Sequence, residues 1–146
     1  MYKKALILNG NSNTGKTTTL YKLIELFPEK TVHEIYKRRL YKNVKRTVPE
    51  ISALIEYKGK IIWVITLGDN LKCVTDEIKK FKEKGYNIED CDLFICASRN
   101  SGNLVKFILE NFKIKKFILK EDVASNRDAF CTQKAKELKK EIDNYI

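Results

Sequence analysis

Apolar residues in this chain come in short unbroken runs, separated by stretches in which they recur at every third or fourth position. Ala5-Leu6-Ile7-Leu8 is a run of strand length, and Leu20, Leu23, Ile24 and Phe27 then mark one face of a helix that Pro28 ends. Residues 31–36 form a weakly alternating second strand. Residues 51–57 and 61–67 are two β-rich runs flanking Lys58-Gly59-Lys60, which predicts a hairpin. The second run is apolar nearly throughout, as a central strand covered on both faces must be. Leu71, Val74, Ile78 and Phe81 predict an amphipathic helix closed by Gly85. Leu93-Phe94-Ile95-Cys96-Ala97 is another buried strand, and a helix carrying Leu104, Val105, Ile108 and Phe112 follows it. Residues 116–119 are the last strand. Ser125-x-x-Asp128 is a capping box for a final helix with the stripe Cys131, Ala135, Leu138, Ile142 and Tyr145. Strands alternating with helices give an α/β class, with a mainly parallel sheet and one antiparallel hairpin strand. The 146 residues suit one domain, 1–146, with a three-layer core.

Between the first strand and the first helix lies Gly10-Asn11-Ser12-Asn13-Thr14-Gly15-Lys16-Thr17, which fits G-x-x-x-x-G-K-[ST]. This is the phosphate-binding P-loop, or Walker A motif, in the strand–loop–helix setting that it requires. The glycines allow backbone conformations in which successive N–H groups point into one concavity. That concavity sits at a helix N-terminus, where unpaired N–H groups and the helix dipole favour an anion. Lys16 reaches the β- and γ-phosphates, Thr17 offers a hydroxyl to Mg²⁺, and Thr18 continues the phosphate-facing turn. A bare glycine turn starting a helix is the alternative, and it leaves the rest of the motif unexplained.

Composition changes the picture in three places. The net charge of +10 points to polyanionic partners, from nucleotides to nucleic acid, or to a lysine-rich solvated surface. The most basic stretch is residues 37–46, flanked or interrupted by Tyr36 and Tyr41. A charge run is most often a solvated face, and this one also suits a flap over a triphosphate or a track for nucleic acid. Cys73, Cys91, Cys96 and Cys131 form no C-x-x-C pair, and His33 is the sole histidine, so neither a metal site nor a disulfide framework is expected. No apolar run is long enough to span a membrane, and Met1 leads straight into the first strand without a signal peptide. The expected location is cytoplasmic.

Ligands of parallel α/β sheets bind beyond the carboxyl ends of the strands. The motif, Gly68-Asp69-Asn70, Ser98-Arg99-Asn100 and Lys120-Glu121-Asp122 should therefore share one rim. Asp69, after the central strand, is the candidate acid for magnesium or water positioning, its other role being to share the helix N-cap with Asn70. Arg99 is the candidate for stabilising charge on a transferred phosphoryl group, or for contacting a phosphate, a second substrate or a surface carboxylate. Ser101-Gly102 can add N–H donors, whereas Asp92 starts its strand at the opposite edge and reads as structural. Gly68-Asp69, together with Cys91-Asp92-Leu93-Phe94-Ile95-Cys96-Ala97-Ser98-Arg99-Asn100-Ser101-Gly102, resembles small ATP-binding proteins of the P-loop NTPase superfamily. The resemblance implies a P-loop NTPase fold holding a Mg²⁺–nucleotide through Gly10 to Thr17. No Asp-x-x-Gly follows the central strand, and Leu119 replaces the Asn or Thr of a guanine-specificity motif, which argues against a GTPase. No Asp-Glu pair supplies a hydrolytic base, and 112–115 are too few for an arginine-rich lid. The expected function is phosphoryl transfer from ATP, or another nucleoside triphosphate, to water or to a small-molecule or nucleotide acceptor. The alternative is a nucleotide-dependent switch that engages nucleic acid or a protein through 37–46.

Overall fold

The structure is a computed structural model, and it describes residues 1–10, 15–28, 32–37, 51–66, 70–99, 101–119 and 127–146. Among these residues, six strands form one sheet: β1 (Tyr2–Asn9), β2 (Val32–Lys37), β3 (Ile51–Tyr57), β4 (Lys60–Ile65), β5 (Leu93–Ser98) and β6 (Phe112–Leu119). Their spatial order is β2-β3-β4-β5-β1-β6. The β3 strand pairs antiparallel with both neighbours, and the pairs β4–β5, β5–β1 and β1–β6 are parallel. The chain is therefore α/β with a mixed, mostly parallel sheet in which β3 alone runs backwards.

Among the described residues, four α-helices cover the sheet, α1 (Lys16–Glu25), α2 (Leu71–Glu83), α3 (Asn103–Asn111) and α4 (Arg127–Tyr145). Strand periodicity divides the core between two faces. Leu6, Leu8, Ile62, Val64, Leu93 and Ile95 point to the side of α1 and α4. Ala5, Ile7, Trp63, Ile65, Phe94 and Cys96 point to the side of α2 and α3. Both faces of β4 are covered, as its apolar run requires. The α4 stripe of Cys131, Ala135, Leu138 and Ile142 is fully buried.

The hairpin turn is tighter than the sequence suggests. Lys60 pairs with Tyr57, leaving a two-residue turn in which Lys58 (φ 51°) and Gly59 (φ 75°) are both left-handed. This is the hand that matches strand twist. The β4 strand ends at Ile65 rather than at residue 67.

The last strand needs the larger correction. It begins at Phe112, so the residue read as the end of a helical stripe opens β6, and α3 passes into β6 with no loop. The Phe112 ring stacks on Phe94 (centroids 5.4 Å apart) and meets the edge of Tyr2 (5.3 Å). Lys115 Nζ donates to the carbonyls of Leu109 (2.9 Å) and Phe112 (3.2 Å), which satisfies the end of α3 without a turn.

Gly85 closes α2 as predicted. Tyr86 N–H donates to the Phe81 carbonyl (2.9 Å) and Gly85 N–H to that of Lys82 (3.0 Å), a Schellman motif with the Tyr86 ring 6.1 Å from Phe81. Gly85 has φ 95° and nothing within 4 Å of a Cβ built there. Gly85→Ala is thus expected to cost only backbone strain, about 1–2 kcal/mol, measured by urea unfolding. No loss of stability would show that the cap is not held in this form.

Candidate functional site

The parallel neighbours β1 and β5 send the chain to opposite faces. The β1 strand leads to α1, on the α4 side, and β5 leads to α3, on the α2 side. Such a change of side opens a crevice beyond the carboxyl ends of the two strands, where ligands of these sheets settle. Gly10, at the end of β1, and Gly15, at the start of α1, bring the two ends of the motif to this point.

Its two ends are held from below. Gly10 N–H donates to the Ser98 carbonyl at 3.1 Å, tying the start of the motif to the end of β5. Gly15 caps α1 at φ 84°, ψ 22°, a left-handed conformation that other residues enter at a cost. The Gly15 carbonyl accepts the Thr19 N–H (2.9 Å), the Thr19 hydroxyl (2.9 Å) and the Cys131 thiol of α4 (3.6 Å). Lys16 is only 7% exposed, and its ammonium donates to the Gly10 carbonyl at 2.7 Å. The Thr17 hydroxyl donates to the Thr66 carbonyl at 3.3 Å, which brings the start of α1 against the end of β4. Thr18 is half-buried on α1. Asn11, Ser12, Asn13 and Thr14 lie outside the described residues, as do Gly68, Asp69, Asn100, residues 38–46 and Lys120-Glu121-Asp122.

Around the same rim, Asn70 caps α2 through its side-chain oxygen, which accepts Cys73 N–H at 3.0 Å. Asn70 thus fills the capping role expected of it, and Asp69, which was to share it, lies outside the described residues. Arg99 is exposed immediately beyond β5, and the buried Ser98 hydroxyl donates to the Arg99 carbonyl at 3.0 Å. Gly102 caps α3 at φ 116°, ψ −172°, a region open to glycine almost alone, with exposed Ser101 beside it. Arg99, Ser101 and Gly102 therefore follow the carboxyl end of β5, which is paired with the end of β1 from which the motif leaves.

Other titratable groups belong to the scaffold. Asp92 sits at the far end of the sheet, where its carboxylate accepts Ile61 N–H (2.9 Å) and meets Lys3 (3.3 Å). Burial pushes the Asp92 carboxyl up, but the Ile61 N–H and Lys3 outweigh it and hold the group below its ordinary range. Burial drives the Cys91 thiol up to about 12 and raises Cys96 as well, so both are inert core residues. An apolar cavity of about 150 Å³ under Trp63, Tyr86 and Cys91 lies at that same far end and offers little to a phosphate. No group of three or more His, Cys, Asp or Glu side chains among the described residues is placed to hold a metal.

Comparison with protein-family models, curated proteins and solved structures returns no match to this chain. Geometry must carry the reading. No helix among the described residues is long and apolar enough to cross a membrane. Thr66 escaped the sequence reading, and Ser98 was expected on the rim without a role, because both act on the ends of the motif through main-chain carbonyls. Their one signal is a small hydroxyl residue closing an apolar strand.

Proposed function

We propose that this protein binds a magnesium–nucleoside triphosphate, such as ATP, over the start of α1 and performs phosphoryl transfer on it. The observation that carries this reading is Lys16, a nearly buried ammonium turned back onto the Gly10 carbonyl at the change of side between β1 and β5. A P-loop NTPase fold for the α/β sheet is part of the same proposal.

The residues fit such a ligand. An ammonium donates three hydrogen bonds, so Lys16 serves a phosphate oxygen as a compact point charge. Thr17 spends its proton on Thr66, which leaves its oxygen to act as a ligand. Magnesium takes few protein ligands and fills its octahedron with phosphate oxygens and water, so a hydroxyl with one acid such as Asp69 suffices. When bound, the ion neutralises charge developing between the β- and γ-phosphates. Little covalent chemistry is left for the protein, whose part is positioning and electrostatics. Arg99 adds a guanidinium from the β5 side, to meet the γ-phosphate of bound ATP and to hold its equatorial oxygens more strongly in the transition state.

The test is Mg²⁺-dependent phosphate release from ATP, measured alone and with panels of nucleosides, nucleotides and nucleic acids. A phosphorylated small product identifies a kinase and its acceptor, whereas release without one identifies a hydrolase. Tight binding with no release favours the switch that works through 37–46, and absence of binding overturns the reading. Arg99→Ala is expected to slow turnover by about 10³-fold, the low end for an arginine finger, with ADP affinity unchanged. Unaltered kcat in that variant would remove Arg99 from the chemistry.

A further inference from the structure

We infer that Ser98 is a positioning residue that sets Arg99 relative to the phosphate-binding motif, an inference that rests on the nucleotide reading above. Ser98 is the last residue of β5, is fully buried, and pairs in register with Asn9, the last residue of β1. Two hydrogen bonds leave it in different directions. Its carbonyl accepts Gly10 N–H at 3.1 Å, fixing the first residue of the motif. Its hydroxyl donates to the Arg99 carbonyl at 3.0 Å, fixing the peptide plane at which the chain turns off the strand. One buried residue thus references both walls of the crevice to each other.

The consequence is specific to the γ-phosphate. A peptide plane is rigid, so holding the Arg99 carbonyl helps fix the backbone at Arg99 and with it the direction in which the Arg99 side chain leaves the chain. ADP meets Lys16 and the motif backbone, which the Ser98 carbonyl continues to hold whatever its side chain. ATP additionally meets the guanidinium. Removing the hydroxyl should therefore lower affinity for ATP relative to ADP, not affinity for nucleotide in general.

The experiment is calorimetric titration of wild type and Ser98→Ala with Mg–ATPγS and Mg–ADP. Ser98→Ala is expected to reduce the triphosphate-to-diphosphate affinity ratio about fivefold, as loss of one net hydrogen bond would. ADP affinity should stay within twofold of wild type. Ser98→Thr retains the hydroxyl and should restore the ratio. In an Arg99→Ala background, Ser98→Ala should change the ratio no further, because the two residues act as one unit. Should Ser98→Ala not fold, Ser98→Cys, with its weaker donor, should give an intermediate ratio. An unchanged ratio in a folded Ser98 variant, or an equal fall for both nucleotides, overturns the inference while leaving the nucleotide reading intact. A wild-type protein that binds neither nucleotide overturns both.

Discussion

Lys16→Ala is expected to weaken ATP binding by about 10²-fold or more while the protein stays folded. A hydrogen bond to a charged group contributes about 1.5–3 kcal/mol, and two phosphate contacts at the lower figure correspond to roughly that factor. The fold should survive because Lys16 is the first residue of α1, where alanine is a good helix former. The fold does lose the 2.7 Å bond from the Lys16 ammonium to the Gly10 carbonyl, about 1.5–3 kcal/mol, which a domain of ordinary stability can bear. Calorimetric titration with ATP, alongside circular dichroism of both proteins, reads the two effects separately. Unchanged affinity in a folded variant would remove the motif from nucleotide binding. A variant that unfolds would show instead that Lys16 is chiefly a strut between the ends of the motif.

Trp63→Ala should be the most damaging core substitution, at about 3–5 kcal/mol. Trp63 is 1% exposed on β4, with its ring centroid 4.6 Å from that of Phe81 and 6.1 Å from that of Phe94. It therefore joins the central strand to α2 and β5. Its Nε1–H donates at 2.9 Å to the hydroxyl of Ser52, itself fully buried on β3. Truncation leaves a cavity and an unsatisfied hydroxyl together. Domains of ordinary stability hold about 5–15 kcal/mol, so the variant should unfold at a much lower urea concentration. Trp63→Phe separates the terms, since it keeps most of the packing and loses the Ser52 bond. A cost below about 1 kcal/mol for Trp63→Ala would mean that the core closes over the gap.

These residues differ in how legible they were. Buried strands announced themselves, because β1, β4 and β5 are covered on both faces and need continuous apolar runs. The α2 terminus was equally plain, since Gly85 has a conformational task that other residues perform at a cost. The start of β6 was hidden. Phe112 sits at helical spacing from Ile108 and also begins an edge strand whose residues 113–116 are exposed, three of them lysines. Only its packing between Tyr2 and Phe94, which are remote in sequence, decides the matter. The motif was readable because its glycines and lysine have local tasks, and Gly15 takes the left-handed conformation that the pattern calls for. Strand order was not readable from periodicity, and it is strand order that puts Ser98 and Arg99 opposite Gly10. The carbonyls of Ser98 and Thr66 carry no signature either, because every residue has one.

The direct passage from α3 into β6 has a mechanical consequence. With no slack at Phe112, α3 and β6 form one lever, and β6 is bonded to β1 along its whole length, from Tyr2 to Asn9. The chain thus returns to the strand that feeds the motif after having left by way of β5. Any tilt of α3 at its start must therefore be taken up at Gly102, the glycine that caps it. The rest of the crossover turns only with the sheet itself.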